Sequence, residues 1–98
     1  MNVEVLDLAR QEFDEAFVHY ESQRSGLGEE LRAAVKVQVT KIAKHPDAWM
    51  LVRPGIRKCL GRRFPCDVIY QRIGDDLLIL ALAHKRRAPL YWMDRIQK

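Results

Sequence analysis

The residues of this chain that could do chemistry are concentrated in its last third, between Arg57 and Trp92. An apolar run over residues 77–83 leads directly into the basic run His-Lys-Arg-Arg at residues 84–87, and Tyr91 follows shortly after a proline. Arginine suits the binding of anions, because its planar guanidinium group can bind two phosphate or carboxylate oxygens at once. The pattern therefore predicts a cationic and aromatic surface at one end of a sheet, where an anionic or aromatic partner could bind.

Two kinds of chemistry fit these residues, and the first is the metal-free cleavage of RNA. Cleavage needs a base for the 2′-hydroxyl, an acid for the leaving oxygen and cations for the charge on phosphorus. His84 and Tyr91 are the candidates for the acid and the base. The candidates for binding the phosphate are the arginines of the region, which are Arg57, Arg63, Arg86 and Arg87.

The second possibility is binding without catalysis, which needs only charge and a few aromatic or arginine anchors. The candidate binding residues are Arg57, Arg63, Lys85, Arg86, Arg87 and Trp92. The region holds one histidine, His84, and its position at the end of an apolar strand also suits a structural role. The sequence therefore favours binding and assigns no residue firmly to catalysis.

The cysteines and histidines do not have the spacing of metal ligands. Cys59 and Cys66 are seven residues apart, and the histidines at 19, 45 and 84 are scattered. We expect no metal and no cofactor. The two cysteines are interpreted as small apolar side chains in or beside strands, with a disulfide across a hairpin as the alternative.

Length and charge limit the class of protein. A chain of 98 residues corresponds to one domain, residues 1–98, and it contains no apolar run near the ~20 residues that cross a bilayer. With no export signal pattern either, we expect a cytoplasmic protein without a membrane partner. Residues 1–52 carry six basic and nine acidic side chains, a net charge of −3, whereas residues 53–98 carry eleven and four, a net charge of +7. The basic half predicts an acidic or nucleic-acid partner.

The first half of the chain predicts a short strand and two helices. Alternation over residues 2–6 indicates the strand, and Asp7 is predicted to cap the helix that follows. That helix carries the apolar stripe Ala9, Phe13, Ala16, Phe17 and Tyr20 and ends at Ser25-Gly26. A second helix is predicted from residue 27 to His45-Pro46, so the two form an antiparallel hairpin.

The second half predicts a loop over residues 46–55 and then a meander of three strands, at 56–64, 66–72 and 77–84. The last strand is apolar at nearly every position and is therefore placed centrally, with the N-terminal strand parallel beside it. Residues 89–96 are predicted to form a final helical turn that starts at Pro89. The fold class is α+β with the order βααβββ, a helical hairpin on one face of a four-stranded sheet. The predicted core is Phe13, Phe17, Tyr20, Leu31, Val35, Ile42, Leu60, Leu78, Leu80 and Leu82.

In this order of motifs the chain resembles the RelE/ParE superfamily of toxins from bacterial type II toxin–antitoxin modules, and most closely its ParE branch, also called plasmid stabilisation proteins. No segment is diagnostic alone, but together they span nearly the whole chain in the family's order. The segments are residues 19–24 (HYESQR), 26–28 (GLG), 42–46 (IAKHP), 53–57 (RPGIR), 62–65 (RRFP), 68–70 (VIY), 78–84 (LILALAH) and 86–92 (RRAPLYW).

The resemblance implies a toxin that a cognate acidic antitoxin holds inactive in a hetero-oligomer. ParE-like members act against DNA gyrase without a known hydrolytic site, whereas RelE-like members cleave mRNA in the ribosome. RelE-like sites commonly use a lysine or glutamate cluster near the middle of the sheet, which only Lys58 and Lys85 could supply here. The one carboxylate in strands two to four is Asp67, placed at an edge, so the sequence indicates a poor nuclease site. We expect the ParE-like activity, with the ribonuclease as the alternative and an inactive family member as a third possibility. The antitoxin's carboxylates are expected near Arg57, Arg63 and Arg86.

Overall fold

The computed structural model describes residues 2–98, which form two helices, five strands and one short 3-10 turn. In chain order the elements are β1 (Val3–Val5), α1 (Asp7–Gln23), α2 (Leu27–Lys44), β2 (Met50–Arg53), β3 (Ile56–Cys59), β4 (Cys66–Ile73), β5 (Asp76–His84) and the 3-10 turn (Met93–Arg95). None of the helices in this part of the chain is long and apolar enough to cross a membrane.

The helical hairpin lies where the apolar spacing predicts it, but the helix starts are stabilised differently. Asp7 is the first helical residue rather than the cap, and Leu6 at the cap position makes no side-chain hydrogen bond. The start of α2 is capped from the preceding helix, since the carboxylate of Glu21 accepts hydrogen bonds from the amides of Gly26 and Gly28 at 2.9–3.1 Å. Gly28 also lets the helices approach closely, because a Cβ there would lie 2.9 Å from the ring of Phe17.

The sheet has five strands in the order β1-β5-β4-β3-β2, so the prediction of four strands is wrong. Strand β1 pairs parallel with β5 as expected, and the other pairs are antiparallel. The missed strand is β2, within residues 46–55, and Pro54-Gly55 turns it back into β3. It was interpreted as a loop because Met50 and Leu51 are exposed at the sheet edge, so the segment lacks the alternation of a half-buried strand.

Strand β3 is shorter than predicted and ends at Cys59 instead of continuing to residue 64. Residues 60–65 form a loop that folds tightly back on the start of β4. A Cβ at Gly61 would lie 2.1 Å from the carbonyl oxygen of Cys66, so this close approach requires glycine. The loop places Arg62 and Arg63 outside the strands.

Both faces of the sheet are covered, which explains why β5 is apolar almost throughout. One core lies under the helices and includes Ile42, Val68, Tyr70 and Leu77, whereas a second core lies on the opposite face. The second core is covered by the C-terminal tail, residues 88–98, through Leu90, Tyr91, Trp92 and Ile96. A bulge between β4 and β5 next to Ile69 changes the alternation of β5, so Leu80 and Ala81 both belong to the second core.

Most of the predicted core residues are in fact in the interior. Leu31, Ile42, Leu78, Leu80 and Leu82 are buried, and Phe13, Phe17, Tyr20 and Val35 are half-buried. Leu60 was wrongly assigned to the core, since it is 46% exposed in the loop after β3. The helical turn predicted within residues 89–96 is present as a 3-10 turn, but it starts at Met93 and not at Pro89. Cys59 and Cys66 are buried free thiols, which confirms their interpretation as small apolar side chains.

Candidate functional site

A cluster of cations occupies the end of the sheet where β3 and β5 finish and β4 begins. We call it the basic rim, and its members are Arg62, Arg63, Lys85, Arg86 and Arg87, all exposed. The backbone amide of Lys85 donates to the carbonyl of Pro65 at 2.9 Å, and its Nζ donates to the carbonyl of Gly61 at 3.3 Å. The loop after β3 and the segment after β5 are therefore fastened to each other and present their charges on one surface.

Buried polar side chains hold this loop in place. Asp67 is 6% exposed, and its Oδ1 accepts a hydrogen bond from the amide of Gly61 at 3.0 Å. Gln38 of α2 donates to the carbonyl oxygens of Cys59 at 3.1 Å and Cys66 at 3.4 Å, on either side of the loop. Asp67 lies in β4 between two neighbouring strands, so its expected place at a sheet edge is wrong.

The rim cations differ in how far their charge is already neutralised. Arg63 pairs with Glu30 of α2, which also pairs with Arg24 at 2.6 Å, and the Arg63 hydrogen bond lowers the pKa of the Glu30 carboxyl. Arg62 and Arg86 form no ion pair with any part of the chain from residue 2 to 98. Lys85 forms no ion pair either, but its Nζ donates to the carbonyl of Gly61, so the two arginines are the rim cations most available to an anionic partner.

Behind the rim, Glu12 of α1 fastens the C-terminal tail through a cluster that we call the Glu12 clasp, formed by Glu12, Leu82, Arg87, Tyr91 and Arg95. The carboxylate of Glu12, 11% exposed, accepts hydrogen bonds from the hydroxyl of Tyr91 at 2.5 Å, from Nη1 of Arg95 at 2.8 Å and from the amide of Leu82 at 3.2 Å. The guanidinium of Arg87 lies 3.7 Å from the same carboxylate and 3.9 Å from the centre of the Tyr91 ring. The clasp joins α1, β5 and the tail.

The clasp determines what Tyr91 can do chemically. Burial, together with the hydrogen bond to Glu12, raises the pKa of the Tyr91 phenol well above its usual value of 10.0. The hydroxyl stays protonated at neutral pH and donates its proton to Glu12. Tyr91 is therefore poorly suited to act as a general base.

His84 also has a structural contact. Its Nδ1 accepts a hydrogen bond from the backbone amide of Arg86 at 3.0 Å, which assigns the proton of the neutral ring to Nε2. The amide of Arg87 donates to the carbonyl of His84 at 3.0 Å. The imidazole therefore shapes the turn that carries the rim cations.

The structure brings only part of the predicted site together. His84, Lys85, Arg87, Tyr91 and Trp92 line one cavity of about 180 Å³ on the face of the sheet that the tail covers. Arg57, Arg63 and Arg86 do not line it. Arg57 is half-buried, and its Nη1 donates to the carbonyl of Trp49 at 2.8 Å, so it supports the chain before β2. The four nuclease candidates His84, Tyr91, Arg57 and Arg63 thus have separate structural partners.

Trp92 is not a surface anchor, contrary to its place among the predicted binding residues. It is 4% exposed and packs in the second core with Ile69 and Leu80. The physical reason is the uncovered face of the sheet: the apolar side chains of β5 on that face need a cover, and the aromatic tail provides it.

Glu12 was missed entirely from the sequence, and Asp67 was given no structural role. Glu12 lies three residues after Ala9 and four before Ala16, on the apolar stripe of α1, and an acid in such a stripe indicates a buried partner. Asp67 stands in a run of buried strand residues, where an unpaired charge is costly and a hydrogen-bonding role is expected. Across residues 2–98 no group of three or more His, Cys, Asp or Glu side chains is arranged to hold a metal ion.

The helical hairpin on a five-stranded mixed sheet is an α+β fold shared with a solved toxin–antitoxin structure. That structure is described as "Chromosomal ParDE TA system from P. aeruginosa"; the match has a TM-score of 0.75 and 17% sequence identity and covers 86% of this chain and 95% of that chain. The likeness confirms the ParE-like resemblance at the level of the fold. No family model matches the sequence, and no curated protein matches it.

Proposed function

We propose that this chain is the toxin of a type II toxin–antitoxin module, that it acts by binding a large target such as DNA gyrase, and that an acidic antitoxin neutralises it. The observation that carries the proposal is the fold, which is common to this chain and a chain of a ParDE toxin–antitoxin structure. The two unpaired arginines of the basic rim, Arg62 and Arg86, support it, because they leave positive charge free at one end of that fold.

Binding is favoured over RNA cleavage by the contacts of the nuclease candidates. Tyr91 donates to Glu12, Arg57 to a backbone carbonyl, and Arg63 to Glu30, so each already has a partner within the chain and they do not converge on one site. A general base must also reach the proton that it removes and titrate near the working pH. Tyr91 does not meet the second condition because of its raised pKa.

A groove next to the rim fits the proposed antitoxin. It has a volume of about 270 Å³, lies between α2 and the loop after β3, and is lined by apolar residues together with Lys41, Arg62 and Arg63. Val37 and Leu60 are exposed apolar side chains at this groove. An acidic segment that folds on binding would place apolar anchors in the groove and carboxylates on the cations. We therefore propose Arg62 as a contact in place of Arg57.

The activity test compares two targets in one set of assays. The purified chain is added to a gyrase supercoiling reaction, and the chain is separately induced in cells whose mRNA is mapped for new ends. We expect inhibition of supercoiling without mRNA cleavage, and His84→Gln should behave as the wild type if its fold survives. Ribosome-dependent cleavage that His84→Gln abolishes would move the chain to the nuclease function. If the chain neither inhibits supercoiling nor causes mRNA cleavage, and its expression does not arrest growth, the protein is inactive.

The partner test is co-expression with the product of the neighbouring open reading frame. We expect the two chains to co-purify at moderate salt, with association that weakens as salt rises because charge steers it. Failure of the products to co-purify would contradict the antitoxin part of the proposal.

A further inference from the structure

Asp67 is the one buried charged side chain in the described part of the chain, and half of its carboxylate is unused. Its Oδ1 accepts the amide of Gly61. Its Oδ2 receives no hydrogen bond from residues 2–98 and is not sealed from solvent, and Asp67 lines the cavity of about 180 Å³ described above. This oxygen is therefore open to a hydrogen-bond donor from water or from a ligand in the cavity.

The surroundings of Asp67 exclude a simple cation as that ligand. Lys58 and Lys85 line the same cavity, and neither forms an ion pair with Asp67. The cavity is thus lined by Lys58, Lys85 and Arg87 but by a single carboxylate, so its lining has a net positive charge that repels a cation and attracts an anion. The matching ligand therefore offers neutral N–H donors to Asp67 and carries its own negative charge nearby.

The remaining walls of the cavity are apolar and favour a ring. Ile69, Ala83 and Trp92 are buried second-core residues that line it, and Val52 and Leu90 complete the apolar part. The cavity is smaller than the roughly 300–1,000 Å³ of typical small-molecule sites. It suits one ring system, with the rest of the ligand lying outside toward the lysines.

Among the nucleobases, guanine is the one that presents two adjacent N–H donors, N1–H and the N2 amino group, to one carboxylate. Adenine and cytosine offer an amino group beside an acceptor, which a carboxylate cannot satisfy. A carboxylate has about four acceptor sites, so Oδ1 can accept a second hydrogen bond while it keeps Gly61. A phosphate on the same nucleotide would supply the anion for the lysines.

We propose that this cavity binds a guanine nucleotide, with the base on Asp67 and the phosphate on Lys58 and Lys85. The proposal does not depend on the toxin function, because it follows from the cavity and its charges alone. Guanine of a free nucleotide and guanine exposed in a single strand share this chemistry, and the experiment separates them.

The first test uses the unmodified full chain and a ligand series. The chain is titrated with 5′-GMP, 5′-IMP, 5′-AMP and guanosine by calorimetry or by NMR of the labelled protein. We expect 5′-GMP to bind at least about tenfold more tightly than 5′-IMP, which lacks the N2 amino group, or 5′-AMP. Guanosine should bind more weakly than 5′-GMP because it lacks the phosphate. Equal binding of 5′-GMP and 5′-AMP, or no binding of 5′-GMP at millimolar concentration, would overturn the proposal.

The second test changes the carboxylate with little change in shape. Asp67→Asn keeps an oxygen for the amide of Gly61 but turns a donor toward the base, so we expect a loss of 5′-GMP affinity of at least about tenfold. Asp75→Asn, in the exposed turn before β5, is the matched control and should bind as the wild type. Unchanged 5′-GMP binding by a folded Asp67→Asn chain would overturn the site; if that variant fails to fold, the ligand series decides.

The third test finds the source of the guanine. Lys58→Gln should weaken the binding of 5′-GMP and leave the binding of guanosine unchanged. Equal losses of affinity for the two ligands would show that Lys58 does not bind the phosphate. A short single-stranded oligouridine with one central guanine is compared with the same strand carrying adenine. Tighter binding of the guanine strand than of 5′-GMP assigns the site to a strand, and the reverse assigns it to a free nucleotide. If the chain binds the guanine strand and the adenine strand with equal affinity, and also binds 5′-GMP and 5′-AMP equally, neither a strand nor a free nucleotide is the source of a bound guanine.

Discussion

The two faces of the sheet are covered in different ways. Two helices of 17 and 18 residues cover one face with apolar side chains, whereas one irregular tail covers the other. The tail depends on polar fastenings, namely the Glu12 clasp and a pair of hydrogen bonds between Gln71 and Gln97 at 2.7 and 2.8 Å. Apolar packing is not directional, whereas the hydrogen bonds of the clasp are lost when one partner changes, so we expect the tail face to open more easily than the helix face.

The way in which the tail face is covered matters for function, because this face borders residues proposed to bind a partner or a ligand. Arg87 belongs to the basic rim and to the Glu12 clasp, and the cavity of Asp67 lies between the sheet and the tail. The helix face carries the groove proposed for the antitoxin beside α2, while on the tail face the fastening of the tail is coupled to the cavity where a ligand would sit.

The largest expected effect is on the core that the tail covers. Leu80 is fully buried, so Leu80→Ala should lower the free energy of unfolding by about 2–5 kcal/mol. Leu60→Ala removes the same atoms from an exposed position and should change it by less than about 0.5 kcal/mol. Chemical denaturation measures both. Equal losses would mean that Leu60 is in the core after all.

The next effect is on the Glu12 clasp. Glu12→Gln replaces a carboxylate that accepts three hydrogen-bond donors, so we expect a loss of about 1–3 kcal/mol in the free energy of unfolding. Glu15→Gln on the exposed side of α1 is the matched control and should be nearly neutral. Hydrogen exchange should rise in the tail more than in the helices. A uniform rise across the chain would contradict the separate fastening of the tail.

A smaller effect is expected on the stability of the protein at alkaline pH, through two residues of the core under the helices. Burial raises the pKa of Tyr70 from 10.0 to about 12 and that of the Cys66 thiol from 9.0 to about 11. The unfolded chain loses these protons at lower pH than the folded chain. The stability contribution is therefore complete below pH 9 and is lost as the pH rises from about 9 to about 12.

Thermal unfolding at a series of pH values checks this prediction. Tyr70→Phe should lower the melting temperature at neutral pH, because the hydroxyl donates to the carbonyl of Pro46, but it should flatten the fall between pH 10 and 12. An equally steep fall in Tyr70→Phe would show that other groups cause it.

The sequence predicted the elements whose burial leaves a periodic pattern. The two helical stripes and the apolar run of β5 gave the hairpin and the central strand, and the parallel pairing of β1 followed from them. Strand β2 and the early end of β3 were missed because an edge strand and a tight loop leave no such pattern. Contacts between residues far apart in the sequence could not be predicted either. No local pattern indicates that Glu12 binds Arg95, which lies 83 residues later.

The site was predicted as a cluster of residue types rather than as an arrangement. Arg86 and Lys85 are on the surface as the basic run suggested, but Trp92 is in the core and Arg57 is bound to a carbonyl. Charge along the chain shows which residues are basic. It cannot show which of them already have partners, and that is what separates Arg62 and Arg86 from Arg63 and Arg87.

The measurement that tests the central claim most directly is growth arrest on expression of charge-reversed variants. Arg62→Glu combined with Arg86→Glu reverses the two unpaired arginines of the rim, and Arg53→Glu reverses an exposed arginine at the opposite end of the sheet. With soluble, folded protein at matched levels, we expect the double variant to lose toxicity and Arg53→Glu to keep it, since reversal at a contact both removes attraction and adds repulsion. Full toxicity of the double variant would contradict the assignment of the basic rim as the binding surface.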